Sequence, residues 1–314
     1  MDYSILESGL SIISQCKERT GDIWEAHFGA AAIASYFFVK ENVLSAEAVA
    51  RITEDSHAML RSRTYMHIPR NAEETDAQAE EQAILTALEP TMDGLHWVGH
   101  NVIYAALSLW AIKELGHWGR KDDIEGISKL IESFHKTIPG RSWLGYSVSE
   151  VKKLEVSECD CFPEIRNAEQ LSDFILNELS SFRAIYKAEA HHDLIGHMLT
   201  FSQALNILHD LGHTELFLKG IPSLLKLIKV LRTSRDIDPK HPPKLLSPVD
   251  RWPLQLANRS EWLPVEDEYW LRGFQHLDWN FGHTFKFPYS LYNHMNRLPR
   301  PNSKAVENFR YIIG

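Results

Sequence analysis

The 314-residue chain is 44% hydrophobic and carries a net charge of −9. Its length allows one large domain or two ordinary ones with a sizeable core, and its acidic balance argues against a nucleic-acid-binding surface. The apolar runs at 28–39 and 102–112 are too short to span a bilayer, and the first sixteen residues lack the basic start and apolar core of a signal peptide. Three cysteines, Cys16, Cys159 and Cys161, exclude a disulfide framework and fit a reducing, cytoplasmic setting.

In chain order, the first helix is predicted over 3–17. Asp22 is placed to N-cap a second, running to about residue 40 and apolar nearly all round, the pattern of an interior helix. Ser45 caps an amphipathic helix to about residue 61. Asn71-Ala72-Glu73-Glu74 resembles a capping-box start for a helix that Glu89-Pro90 ends. The segment 95–115 is a long apolar element, followed by an amphipathic helix over 122–135. Residues 137–166 break the pattern and read as an irregular insertion with a short strand at 151–156. Asn167 caps a helix to about residue 187; apolar and amphipathic helices follow over 192–211 and 214–231. The segment 232–258 holds five prolines and reads as a lid or binding loop. The last helices are predicted over 265–276, 281–296 and 303–312.

One motif organises these elements. His96-Trp97-Val98-Gly99-His100 opens the helix after residue 100, and Gly196-His197 begins a matching segment within the helix over 192–211; both segments close on Leu-Gly-His, at Leu115-Gly116-His117 and Leu211-Gly212-His213. Looser versions occur at Trp24-Glu25-Ala26-His27 and at Trp279-Asn280-Phe281-Gly282-His283. An amphipathic helix follows each of the two closest copies. Units of one apolar and one amphipathic helix cannot bury their own faces and must stack or close. The expected fold is therefore all-α: pseudo-repeated helical hairpins forming an α/α toroid or closed bundle, one domain over 1–314 with insertions at about 137–166 and 232–258.

In such a closed arrangement His27, His100, His197 and His283 meet around one chamber, as metal ligands or proton carriers. Neutral imidazole is the commonest metal ligand. The i, i+4 pairs His96/His100, Asp193/His197 and His209/His213 would each place two groups on one helical face, so the candidate metal set is His96, His100, His197, His283 and Asp193, with Fe or Zn as the ion. Trp24, Trp97, Tyr104, Phe201 and Trp279 are the candidate substrate-binding aromatics. Their ordinary alternative is core packing, as a structural or backbone-bonding role is for the histidines. No nucleotide-binding, phosphate-binding or nucleophile-elbow motif is present in the sequence.

Two stretches carry a family resemblance: Ala26-His27-Phe28-Gly29-Ala30-Ala31-Ala32-Ile33-Ala34, and Gly196-His197-Met198-Leu199-Thr200-Phe201-Ser202-Gln203-Ala204-Leu205. They resemble the questin-oxidase-like family of helical oxidoreductases, although Ala26 stands where that family has Asn. The resemblance implies an all-α domain that oxygenates an aromatic, polyketide-like substrate with NADPH, His27 and His197 being the candidate site residues. The combined expectation is a small-molecule enzyme, an oxidoreductase or oxygenase acting on an apolar or aromatic substrate, with no nucleic-acid or membrane partner. A metal-dependent hydrolase or lyase on the same scaffold, and a helical ligand-binding protein without catalysis, are the alternatives.

Overall fold

The computed structural model describes residues 2–62, 76–238, 240–274, 280, 282–300 and 302–314. Among these the fold is all-α. The helices are α1 (Ser4–Thr20), α2 (Ala26–Glu41), α3 (Ala46–Arg61), α4 (Ala77–Leu88), α5 (His100–Leu115) and α6 (Lys121–Glu132). They continue with α7 (Val148–Lys153), α8 (Ala168–Ser180), α9 (Leu194–Asp210), α10 (Thr214–Arg232), α11 (Asp267–Leu271), α12 (His283–Met295) and α13 (Ser303–Arg310). Strands β1 (Trp143–Leu144) and β2 (Leu245–Leu246) form an antiparallel ladder of two residues each. No helix among the described residues is long and apolar enough to cross a membrane.

The chain packs as two compact units, each drawn from three stretches. The first takes 1–91, 101–135 and 262–292. Its centre is α2, buried from Ala26 to Phe38. Glycines let α1 lie directly on its neighbours: a Cβ at Gly9 would stand 2.8 Å from the Gly29 carbonyl, and one at Gly126 would run into the Ser14 carbonyl. Only glycine permits such backbone contact between helices. Cys16, on α1, is fully buried, and its thiol donates to the Asp22 carbonyl. Asp22 itself does not cap α2 as its position predicts. Its carboxylate accepts the amide of the next residue, Ile23, and the helix starts four residues later.

The second unit takes 92–100, 136–261 and 293–314. Its axis is α9, buried along Leu194–Leu208, with α8 and α10 packed on it. Asn167 caps α8 through the Gln170 amide as its sequence predicts. Inside this apolar packing lies one polar knot around His294, which is fully buried. Its Nε2–H donates to Ser202 Oγ at 2.8 Å and to the Leu199 carbonyl at 3.2 Å. Its Nδ1 accepts from Ser172 Oγ at 2.9 Å and Asn206 Nδ2 at 3.2 Å. Both ring nitrogens are thus used by the neutral tautomer. Burial, and secondarily the Arg297 charge, pull the ring's pKa down to about 3.

Several predicted elements differ from those observed. The first half of the strand expected at 151–156 is the end of helix α7, because Ser147 and Glu150 form a reciprocal capping box; the extended segment lies earlier, at β1. The helix expected to reach residue 187 ends at Ser180. That expected over 192–211 begins with a π-turn, Glu189–Asp193, and that expected over 265–276 is limited, among described residues, to α11. The capping-box start at 71–74 lies outside the described residues; α4 is capped by Asp76, which accepts from Ala79 N.

The segment predicted as a lid is an anchored strap. Strand β2 pairs it to β1, Tyr186 and Leu256 form an isolated bridge, and the Asp250 carboxylate accepts the amides of Glu189 and Ala190.

Candidate functional site

In the second unit the chain approaches His100 through three consecutive left-handed residues: Trp97 (φ 39°), Val98 (φ 52°) and Gly99 (φ 95°). A β-branched residue there is strained, and such strain gathers at functional sites. The surroundings impose it. Trp97 N donates to the Ile138 carbonyl at 2.9 Å and Val98 N to the Pro139 carbonyl at 2.8 Å. Gly99 lies against the Phe201 ring, leaving no room for a side chain. His100 then starts α5, and its Nδ1–H donates to the Trp97 carbonyl. That bond fixes the tautomer with the lone pair on Nε2, the arrangement that orients ligating imidazoles.

Asp193 ends the π-turn and His197 follows one turn along α9. Asp193 Oδ2 and His197 Nε2 are 3.5 Å apart, with Asp193 partly exposed and His197 buried. The Asp193 and His197 ligand atoms are close enough to share a metal ion. The rings of His100 and His197 lie 4.7 Å apart, centre to centre, at 59°. Two imidazoles bound cis on one ion have centres roughly 4.5–5 Å apart, given metal–nitrogen bonds of about 2.1 Å. A π-turn is rare and occurs mostly at functional sites. Here it carries His191, whose Nδ1 accepts the Tyr186 amide and whose Nε2–H donates to the Ser234 carbonyl. Burial lowers His191 to about 4 and keeps it neutral.

The first unit holds the other pair. His27, in the first turn of α2, and His283, at the start of α12, are both buried with ring centres 6.0 Å apart. Tyr104 Oη lies 2.6 Å from His27 Nδ1. Burial pushes the Tyr104 phenol well above its usual range, so its hydroxyl stays protonated; it also reaches the Ile23 carbonyl at 3.3 Å. Trp24 is half-buried, 5.5 Å from His27 ring to ring. His283 stacks on Phe287 at 4.4 Å. Asn280 (φ 40°) and Gly282 (φ 70°) precede it, and Gly282 lies against Ala31.

The four motif histidines therefore appear as one pair in each unit, His100 with His197 and His27 with His283. In both, a left-handed arm ends in Gly-His, and its glycine presses on the residue four positions beyond the other histidine: Phe201 beyond His197, Ala31 beyond His27.

Other expected residues are placed differently. The i, i+4 relation between His96 and His100 does not form, because the left-handed arm lies between them; the His96 nitrogens face Asp93 at 3.5 Å and Thr137 at 3.3 Å. Nor does His209/His213, since α9 ends at Asp210 and His209 packs edge-on against Phe217. Tyr104 and Phe201 are buried in helix packing, while Trp97 is half-buried. Trp279 lies outside the described residues. Sequence reasoning missed Tyr104 as the partner of His27, and missed Asp250, which caps the π-turn. An aspartate among prolines gives no local sign of what it caps.

Comparison with protein-family models, with curated proteins and with solved structures found no match. The functional reading rests on the residues. A carboxylate and an imidazole as close as Asp193 and His197 can hold a metal ion. A buried imidazole hydrogen-bonded to a phenol can relay a proton.

Proposed function

We propose that the protein is a metal-dependent small-molecule oxidoreductase, with Asp193, His197 and His100 as ligands of a first-row transition metal. The carrying observation is the Asp193–His197 pair, 3.5 Å apart at the junction of a π-turn and α9. Two histidines and one carboxylate form the ligand set of non-haem iron oxygenases, which leaves positions open for dioxygen and substrate. The resemblance to questin-oxidase-like proteins supports the same chemistry and suggests an aromatic substrate with NADPH as reductant. His27 with Tyr104 is the proton-carrying pair in this reading, and Trp24 and Trp97, both half-buried, are its aromatic contacts. The matching arms of the two units support an origin by internal duplication. Three free thiols agree with a reducing, cytoplasmic setting.

The test is metal content by inductively coupled plasma mass spectrometry on purified wild type and a His100→Ala, His197→Ala double variant. The expected result is about one iron per chain, near the occupancy of a single three-ligand site, falling below about a tenth of that in the variant. Stoichiometric zinc, lost in the variant, would instead favour the hydrolase or lyase alternative. Wild type that binds no transition metal on reconstitution would defeat the metal reading.

A further inference from the structure

We infer that Asp250 is a positioning residue: by clamping the π-turn it sets the direction of Asp193 and so the metal affinity of the site. The inference rests on the metal reading above.

The argument starts from the turn's unmet valences. The first amides of any helical turn lack partners within it. Here the two at Glu189 and Ala190 are taken by one carboxylate, Glu189 N to Asp250 Oδ1 at 3.0 Å and Ala190 N to Asp250 Oδ2 at 2.9 Å. With both oxygens engaged on adjacent amides, the carboxylate fixes the orientation of the turn as well as its position.

Asp250 is itself held in a closed circuit of hydrogen bonds. Its amide donates to Ser247 Oγ at 2.9 Å, and Ser247 Oγ pairs with Ser142 Oγ at 2.9 Å. Ser142 donates to Glu189 Oε1 at 2.6 Å, and Arg141 grips both Glu189 oxygens at 2.8 and 2.7 Å. Three chain segments, 141–142, 247–250 and 189–190, are thereby locked around the entrance of the turn. Its exit is Asp193. Only two residues separate the clamped Ala190 from Asp193, and one of them, His191, is pinned to Tyr186 and Ser234. A π-turn is an uncommon backbone state that neighbouring contacts must maintain. Releasing its first two amides lets the turn rewind, which swings Asp193 about the helix axis and away from His197.

The experiment titrates Co2+, followed by its visible d–d absorption, into wild type, Asp250→Ala and Asp250→Asn. Asparagine keeps the shape but has one acceptor for two amides. Asn167→Ala, which removes the cap of α8, serves as a control of similar stability loss. The expected result is a Kd raised about 10-fold or more in Asp250→Ala, the range for residues that orient metal ligands, with an altered absorption band. Asp250→Asn should fall between it and wild type, and Asn167→Ala should match wild type in both. Wild-type Kd and spectrum in both Asp250 variants would overturn the inference alone, as would an equal loss in Asn167→Ala. Wild type that takes up no Co2+ would overturn the metal reading and the inference with it.

Discussion

Replacing Gly99 with alanine is expected to cost the second unit about 2–5 kcal/mol, the sum of backbone strain and overpacking. At φ 95° a Cβ is unfavourable by about 1–2 kcal/mol whatever surrounds it. The rest comes from the Phe201 ring, whose Cδ1 would stand 2.6 Å from that Cβ. Gly212 separates the two effects: its φ is 93°, yet nothing lies within 4 Å of its Cβ position. Gly212→Ala should therefore cost only the backbone part, about 1–2 kcal/mol. Denaturant unfolding of both variants measures the difference, and equal losses would refute the packing argument. Pairing Gly99→Ala with Phe201→Ala should recover about 1–3 kcal/mol, the overpacking share. Because Gly99 immediately precedes His100, Gly99→Ala should also weaken metal binding, whereas Gly212→Ala should not.

The second large effect concerns His294. Leucine there would remove four hydrogen-bond contacts and leave the Ser172 hydroxyl in the core without its acceptor, at a cost of about 3–5 kcal/mol. The ring also dictates acid stability. Its folded-state pKa, about 3, is depressed below the ordinary histidine value. Folding thus favours the neutral ring. The stabilisation is complete above the unfolded pKa near 6.5 and is lost as pH falls toward about 3, where it has shrunk by about 4–5 kcal/mol. Unfolding free energies measured across that window should show this limb in wild type. His294→Gln, which cannot titrate, should lack it; an unchanged acid limb would show that other groups control the transition.

How much of this was readable from the sequence follows the range of the forces involved. Helices α2, α5 and α9 are continuous apolar stretches. The caps at Ser45 and Asn167 act over three residues, and both were legible. So was the importance of these histidines, since a small residue beside histidine before an apolar run recurs four times. The pairing of those histidines was only partly legible. Equivalence in sequence does not say which arm lies on which helix; packing gives Gly99 to α9 and Gly282 to α2. The π-turn was not legible, because its cap is 61 residues away from Glu189. The i, i+4 rule likewise failed at His96, where backbone bonds to Ile138 and Pro139 replace the helix that the spacing presumes.

The placement of the three thiols has a practical consequence. Cys159 and Cys161 are exposed, whereas Cys16 is sealed on the inner face of α1, where burial also raises its pKa and holds back the reactive thiolate. A disulfide reagent such as Ellman's should therefore meet two ready sulfurs and one that reacts only when the first unit opens. The slow third equivalent is a built-in clock for that opening, counted without a label and without a mutation.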